Sequence, residues 1–151
     1  MYHYVNKREG AQKMKRTTIF AAALVALLDV AGAAAADPHG VWLRESGSAK
    51  IKIDDCSGGL CGVVVWERNP RKDIYNPDAA KRGEPVIGRT VILGMKPTDK
   101  PDQWKGEVYN AEDGKTYTGY VTMRADGKLD LQGCVFGGLI CKSDTWSRSS
   151  R

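Results

Sequence analysis

The stretch AKIKIDDCSGGLC, residues 49–61, decides the fold class of this chain. In its first half the apolar residues Ala49, Ile51 and Ile53 alternate with charged residues. Successive side chains of a strand point to opposite faces, so this alternation predicts a strand with one buried face. In its second half two glycines stand between Cys56 and Cys61, which predicts a tight turn into a second strand. The stretch is therefore interpreted as a β-hairpin.

Working outward, alternation recurs along the chain, and no stretch after residue 36 shows helical periodicity. Asp113-Gly114 and Asp126-Gly127 are typical of tight hairpin turns. The pattern predicts an all-β domain of eight sequential antiparallel strands, which favours an up-and-down barrel whose last strand pairs with its first. A two-sheet sandwich is the alternative. The predicted strands are roughly 40–45, 49–56, 60–67, 89–96, 103–110, 115–124, 128–135 and 143–148.

Four cysteines, an even number, indicate two disulfides in an oxidising compartment, and four cysteines allow three pairings. The local pairing, Cys56 with Cys61 and Cys134 with Cys141, is favoured. Directly opposite residues of a hairpin have the Cα separation that a disulfide requires. A zinc site is the competing interpretation, but spacings of four and six intervening residues fit zinc ribbons poorly.

The first 36 residues have the pattern of a signal peptide. Lys15 and Arg16 end a basic segment, an apolar run of about ten residues follows, and four alanines end at Ala36. Met14 is a better translation start than Met1, because it directly precedes the basic pair. A membrane-spanning helix needs ~20 apolar residues, so no transmembrane anchor is predicted. We expect a periplasmic or secreted protein with a single domain at residues 37–151.

The charge of that predicted domain argues against nucleic acid as a partner. Five of the 23 basic and two of the 18 acidic residues lie in the first 36, which leaves 18 basic and 16 acidic side chains and a net charge of +2. The two signs are interspersed along the chain. A nucleic-acid binder would be expected to carry a basic stripe.

No pattern in the sequence predicts an enzyme, a cofactor or a metal ion. His39 is the one histidine after residue 36, and it lies near the predicted start of the domain. Asp54-Asp55 and Glu112-Asp113 are carboxylate pairs, but they lie beside predicted turns. Neighbouring side chains of a strand point to opposite faces, so neither pair resembles the paired carboxylates of a glycosidase.

One long connection, residues 68–88, is expected to cover a mouth of the barrel. It holds five basic and three acidic residues, and its cations would attract an anionic head group. Asp73 and Asn76 are also suited to fixing the loop by hydrogen bonds to nearby backbone. The expected interior lining is Ile51, Ile53, Val63, Val65, Val121, Met123 and Leu131. The candidate ligand contacts are Trp42, Asp73, Asn76, Arg82, Trp104 and Tyr117.

Several motifs give the chain a specific resemblance over about residues 40–148. They are Gly40-Val41-Trp42, the segment from Cys56 to Gly62, residues 73–78 and 86–88, Asp113 to Tyr117, Gly133-Cys134-Val135, and residues 145–148. In these motifs the chain resembles the domain-of-unknown-function family 2147 of small exported bacterial proteins. The resemblance implies a lipocalin-like barrel, whose likeness to lipocalins rests on the Gly-x-Trp opening and the late Arg148. It implies no established reaction and no catalytic residue.

Two functions are compatible with these expectations. In the first, the domain is a binding module that holds a small apolar or amphipathic ligand, which requires a cavity of ~300 Å³ or more. In the second, it is a structural or interaction protein of the envelope, with a filled barrel and a protein partner. Trp42 is also a candidate plug for a closed barrel end, with Arg148 stacked on its indole ring.

Overall fold

The computed structural model of the protein describes residues 36–150. The predicted signal peptide, apart from Ala36, lies outside the described residues. In the described part, no helix is long and apolar enough to cross a membrane. Two single-turn 3₁₀ helices lie at Ala79–Lys81 and Phe136–Gly138. The strands are β1 (Gly40–Leu43), β2 (Ala49–Cys56), β3 (Gly59–Glu67), β4 (Thr90–Pro97), β5 (Gln103–Asn110), β6 (Lys115–Met123), β7 (Leu129–Val135) and β8 (Ile140–Arg148).

These eight strands form one closed antiparallel barrel in which each strand pairs with its neighbours in sequence. The barrel closes between β1 and β8, where Trp42 lies opposite Arg148. The predicted all-β, eight-stranded, up-and-down barrel is therefore confirmed, and the sandwich alternative is wrong. Most strand ends lie within two residues of the prediction. The exception is β8, which begins three residues early because Val135–Ile140 pairing continues up to the turn.

Both predicted disulfides are present, as Cys56–Cys61 and Cys134–Cys141. Cys134 and Cys141 lie directly opposite each other across β7 and β8. Cys56 and Cys61 do not, because Cys56 pairs with Gly59 after a two-residue turn, while Cys61 lies opposite Asp54. The expectation of directly opposite cysteines is wrong for this pair. The diagonal arrangement still brings the Cα atoms to 5.7 Å, a separation that a disulfide spans.

The register of β2 and β3 corrects the predicted interior. Ile51 lies opposite Val64, and directly opposite residues share a face, so Val64 points inward with Ile51. Val63 and Val65 therefore point outward, and Val65 is 42% exposed, so their prediction as interior residues is wrong. A β-bulge between Lys50 and Ile51 then leaves Val65 without a direct partner on β2. After the bulge, the positions of β3 that point inward are shifted by one residue.

One end of the barrel, here called the filled end, is packed with large buried side chains. Trp42 is 0% exposed there, its indole N–H donates to the carbonyl of Pro38 at 2.8 Å, and the guanidinium of Arg148 lies 4.5 Å from its ring centre. This is the arrangement expected of a plug. The other buried residues of the core cluster at this end are Ile53, Leu60, Met95, Val121, Met123 and Leu129.

At the filled end the segment before β1 is held by His39 and Arg148. Arg148 donates hydrogen bonds to the carbonyls of His39 and Asp37. The imidazole of His39 lies between two carboxylates, with Nδ1 at Asp37 and Nε2 3.0 Å from Asp55. The hydrogen bond to Asp55, followed by that to Asp37, raises the pKa of His39 above its usual 6.5.

We expect NMR titration of His39 to give a midpoint above 6.5, and Asp55→Asn to lower it. Because the folded-state pKa is the raised one, the contribution of His39 to stability is fully present below pH 6.5. It is lost as pH rises through the higher folded-state value. The contribution should stay below about 1 kcal/mol because these side chains are exposed. An unchanged midpoint in Asp55→Asn would contradict the assignment.

Candidate functional site

The opposite end of the barrel, here called the open end, contains a cavity of about 500 Å³. Four connections surround it: residues 44–48, residues 68–89, the β5–β6 turn and the β7–β8 turn. This volume lies within the range of small-molecule pockets, which are ≈ 300–1,000 Å³. The filled end closes it from below, so the cavity is a cup with one mouth.

The floor and lower walls of the cavity are apolar. They are lined by residues from six strands, and two of these residues, Ile51 and Leu131, were predicted. The predicted Ile53, Val121 and Met123 are buried, but they belong to the filled end and do not line the cavity. The apolar residues that line the lower part are Ile51, Val64, Val91, Val108, Leu131 and Trp146.

Charged side chains form the upper wall. Five of them are joined by ion pairs and are here called the charged rim: Arg44, Glu67, Arg71, Glu112 and Asp144. Asp113 and Lys142, whose charges cancel, also line the cavity. Asp144 accepts from Arg44 Nε at 2.7 Å and from the indole N–H of Trp146 at 2.8 Å. Glu67 accepts from Arg71 Nε and from the Arg71 backbone N–H, both at 3.1 Å. The cavity therefore has an apolar lower part and a polar, hydrogen-bonded mouth.

The β3 bulge places Glu67 in this rim. Without the extra residue, alternation from the inward Val64 would turn position 67 outward. With it, Glu67 lies opposite Ala49 and its side chain is only 5% exposed. A buried carboxylate needs a charged or hydrogen-bonding partner, and Arg71 supplies both contacts.

The long loop is tied to the barrel by Asp73, which is 0% exposed. Its carboxylate accepts from Asn76 Nδ2 and from Tyr109 Oη, each at 2.7 Å, and Arg89 Nε lies 2.9 Å away. Burial, followed by the hydrogen bond to Asp73, raises the pKa of Tyr109 to about 12. Tyr109 and Val86 also line the cavity, so this anchor holds part of the cavity wall in place.

Of the candidate ligand contacts predicted from sequence, one lines the cavity, three lie within the long loop, and the two tryptophans lie elsewhere. Tyr117 lines the cavity, and its hydroxyl donates to Asp113. Asp73, Asn76 and Arg82 come together within the loop, where Arg82 Nε donates to the carbonyl of Asn76 at 2.8 Å. None of these three loop residues lines the cavity.

The two candidate tryptophans lie away from the open-end cavity. Trp42 is the plug of the filled end, and Trp104 borders a separate pocket at the β2–β3 turn with Leu60 and Met95. The residues that sequence reasoning missed are Arg44, Glu67 and Asp144 of the charged rim. For the turn carboxylate Glu112, the sequence shows only an adjacent pair with Asp113.

Other features of the cavity were not visible in the sequence pattern. Val135 and Ile140 extend the lining of the cavity up to the β7–β8 turn, where Phe136, Leu139 and Ile140 are largely exposed.

Among residues 36–150, no group of three or more His, Cys, Asp and Glu side chains is placed to hold a metal ion.

Comparisons with known proteins agree with this architecture. A family model described as "Uncharacterized protein conserved in bacteria (DUF2147)" matches residues 40–148, from the first strand to the last. Among solved structures, the chain is similar to the protein HP1028 from the human pathogen Helicobacter pylori, described as belonging to the lipocalin family. The TM-score is 0.67 at 22% identity, over 76% of this chain and 84% of that one. No curated protein matches the chain.

Proposed function

The chain belongs to the DUF2147 family of uncharacterized bacterial proteins, and from this premise we propose that it is an exported binding module for an apolar or amphipathic small molecule. The observation that carries the proposal is the cup-shaped cavity of about 500 Å³, closed at the filled end. Ligand pockets are concave and mostly apolar, with a few polar groups that orient the ligand. The apolar floor and the charged rim match that description.

The cavity favours binding over the alternative of an envelope interaction protein with a filled barrel. A filled barrel would leave no room for a ligand, whereas here large side chains pack the filled end and a cavity of about 500 Å³ remains at the open end. The two disulfides are compatible with an oxidising compartment and so support export. The partner expected in this proposal is the small molecule itself.

The proposal includes no catalytic step. In the described part of the chain the one histidine, His39, lies at the filled end, away from the cavity. The carboxylates of Glu67 and Asp144 are already bound to arginines. A general acid or base needs access to the substrate, and the proposal assigns that role to no residue of the charged rim.

Gly133 offers a way to block the cavity without disturbing the barrel. It lines the cavity, and a Cβ added there would meet only Tyr117 Cβ, at 3.8 Å. We expect Gly133→Phe to weaken binding of N-phenylnaphthylamine, a neutral dye that fluoresces in apolar sites, by at least about tenfold, because the ring takes the ligand's place. Fluorescence titration of the delipidated protein measures this.

Thr118→Phe is the matched control. Thr118 lies opposite Cys134, whose neighbour Gly133 faces the cavity, so Thr118 is on the outer face. This variant adds the same ring outside the barrel and should bind the dye as the wild type does. Equal affinity of wild type, Gly133→Phe and Thr118→Phe would show that the dye does not enter this cavity. Native mass spectrometry of protein purified from the periplasm would give the mass of a bound molecule.

A further inference from the structure

Two arginines of the charged rim share one loosely held carboxylate. Arg44 Nη1 lies 3.6 Å from Glu112 Oε1, and Arg71 Nη2 lies 3.9 Å from the same oxygen. Both distances exceed the 2.7–3.2 Å of an N–H···O hydrogen bond, so these contacts are ionic only. The Glu112 side chain is 60% exposed, and exposed ion pairs contribute ~0–1 kcal/mol. Moving the Glu112 side chain away from the two arginines therefore costs little free energy.

By contrast, each arginine is firmly positioned through its Nε atom. Arg44 Nε donates to Asp144 at 2.7 Å, and Arg71 Nε donates to the buried Glu67 at 3.1 Å. The Nε contacts leave the terminal Nη groups directed at the shared position. Two guanidiniums fixed in this way form a preorganised receptor for an anion, because guanidinium forks match the geometry of a carboxylate.

The charge at this position favours a group with a single negative charge. Arg44 and Arg71 are balanced by Asp144 and Glu67, so Glu112 adds one net negative charge to the five residues. A ligand carboxylate in place of Glu112 keeps that total, whereas a phosphate dianion adds a second negative charge near two carboxylates. Like charges this close destabilise one another.

We propose that Arg44 and Arg71 form the head-group subsite for an amphipathic ligand that carries one carboxylate, and that Glu112 occupies this subsite until the ligand displaces it. The apolar tail then lies below, on Ile51, Leu131 and the other floor residues. This inference rests on the proposed function, since it concerns the same cavity. It adds the chemical class of the ligand and an internal competitor.

The test is displacement of bound N-phenylnaphthylamine by three amphiphiles with the same twelve-carbon chain: dodecanoate, dodecanol and dodecyl phosphate. Dodecanoate should compete about tenfold more strongly than dodecanol, because the carboxylate accepts charge-assisted hydrogen bonds and the alcohol does not. Glu112→Gln should raise the affinity for dodecanoate about three- to tenfold and leave the affinity for dodecanol unchanged, because the internal competitor loses its charge. Arg44→Gln should abolish the preference for dodecanoate.

Glu45→Gln is the matched control, since Glu45 is an exposed neighbour of Arg44 that does not line the cavity. This variant removes the same charge and should change the affinity of neither dodecanoate nor dodecanol. Equal competition by dodecanoate and dodecanol, or a Glu112→Gln effect on both alike, overturns the inference while dye binding keeps the proposed function. Stronger competition by dodecyl phosphate overturns the carboxylate assignment. If the dye itself does not bind, the proposed function and this inference both fail.

Discussion

Replacing Asp73 with alanine should lower the free energy of unfolding by about 3–5 kcal/mol. Asp73 is 0% exposed, and its carboxylate holds Arg89, Tyr109 and Asn76. Its removal takes away the buried partner of the Arg89 guanidinium, which is only 17% exposed, and leaves it only the exposed Glu84. Breaking a buried ion pair by removing one member is costly because the remaining charge stays desolvated.

Urea denaturation with the disulfides intact measures this effect as a shift of the midpoint. Tyr109→Phe removes one partner of Asp73 and should cost only about 1 kcal/mol. Asp99→Ala removes an exposed aspartate and should stay within about 0.5 kcal/mol of the wild type. The anchor assignment is wrong if Asp73→Ala and Asp99→Ala unfold at the same midpoint.

Replacing Asp73 should also loosen the long loop under conditions in which the rest of the barrel stays folded. Asn76 and Asp73 are joined by backbone and side-chain hydrogen bonds, and residues 72 and 85 form an isolated bridge across the loop. These contacts lose their attachment to β5 when Tyr109 has no acceptor. Relative to the wild type, Asp73→Ala should therefore speed hydrogen exchange of the backbone amides of residues 73–86 more than that of the amides of β5 and β6.

Trp42→Ala should lower the free energy of unfolding by about 3–5 kcal/mol, the range for a fully buried aromatic side chain. Trp42 is 0% exposed and plugs the filled end beneath Arg148. The seam between β1 and β8 depends on it, because only Trp42 and Leu43 of β1 have direct partners on β8. The barrel has little backbone pairing there to compensate for a cavity.

Trp66 supplies the matched control, since it is 40% exposed on the outer surface of β3. Trp66→Ala should shift the urea midpoint much less than Trp42→Ala. Trp42→Phe should fall between the two, because it keeps most of the ring volume and loses the hydrogen bond to the carbonyl of Pro38. Equal midpoints for Trp42→Ala and Trp66→Ala would show that the indole does not act as a plug.

The strands and their order could be predicted from the sequence because both depend on local patterns. Alternation in residues 49–54 and the Asp-Gly turns at 113–114 and 126–127 reflect one buried face and tight reversals. With eight strands joined mainly by short turns, closure follows from the need to leave no exposed edge. The cysteine spacing likewise indicated both disulfides, since each pair flanks a single turn.

The faces of β3 and the charged rim were decided only by tertiary structure. Val63, Val64 and Val65 are chemically alike, so their sequence has no alternation from which a face could be predicted. Pairing with Ile51 decides it, and the bulge then turns Glu67 inward. The members of the charged rim come from separate strands and turns, and only barrel closure brings them together.

Asp73 and the tryptophans illustrate the same limit for the candidate site. Their residue types are suited both to ligand contact and to structural support, and the sequence alone does not distinguish the two. Asp73 faces Tyr109 of β5, a contact between residues 36 positions apart that no local pattern encodes. The sequence by itself thus determined the strands, their order and the cross-links, because these depend on neighbours along the chain. Tertiary structure alone decided which charges line the cavity, because that depends on register and closure between distant segments.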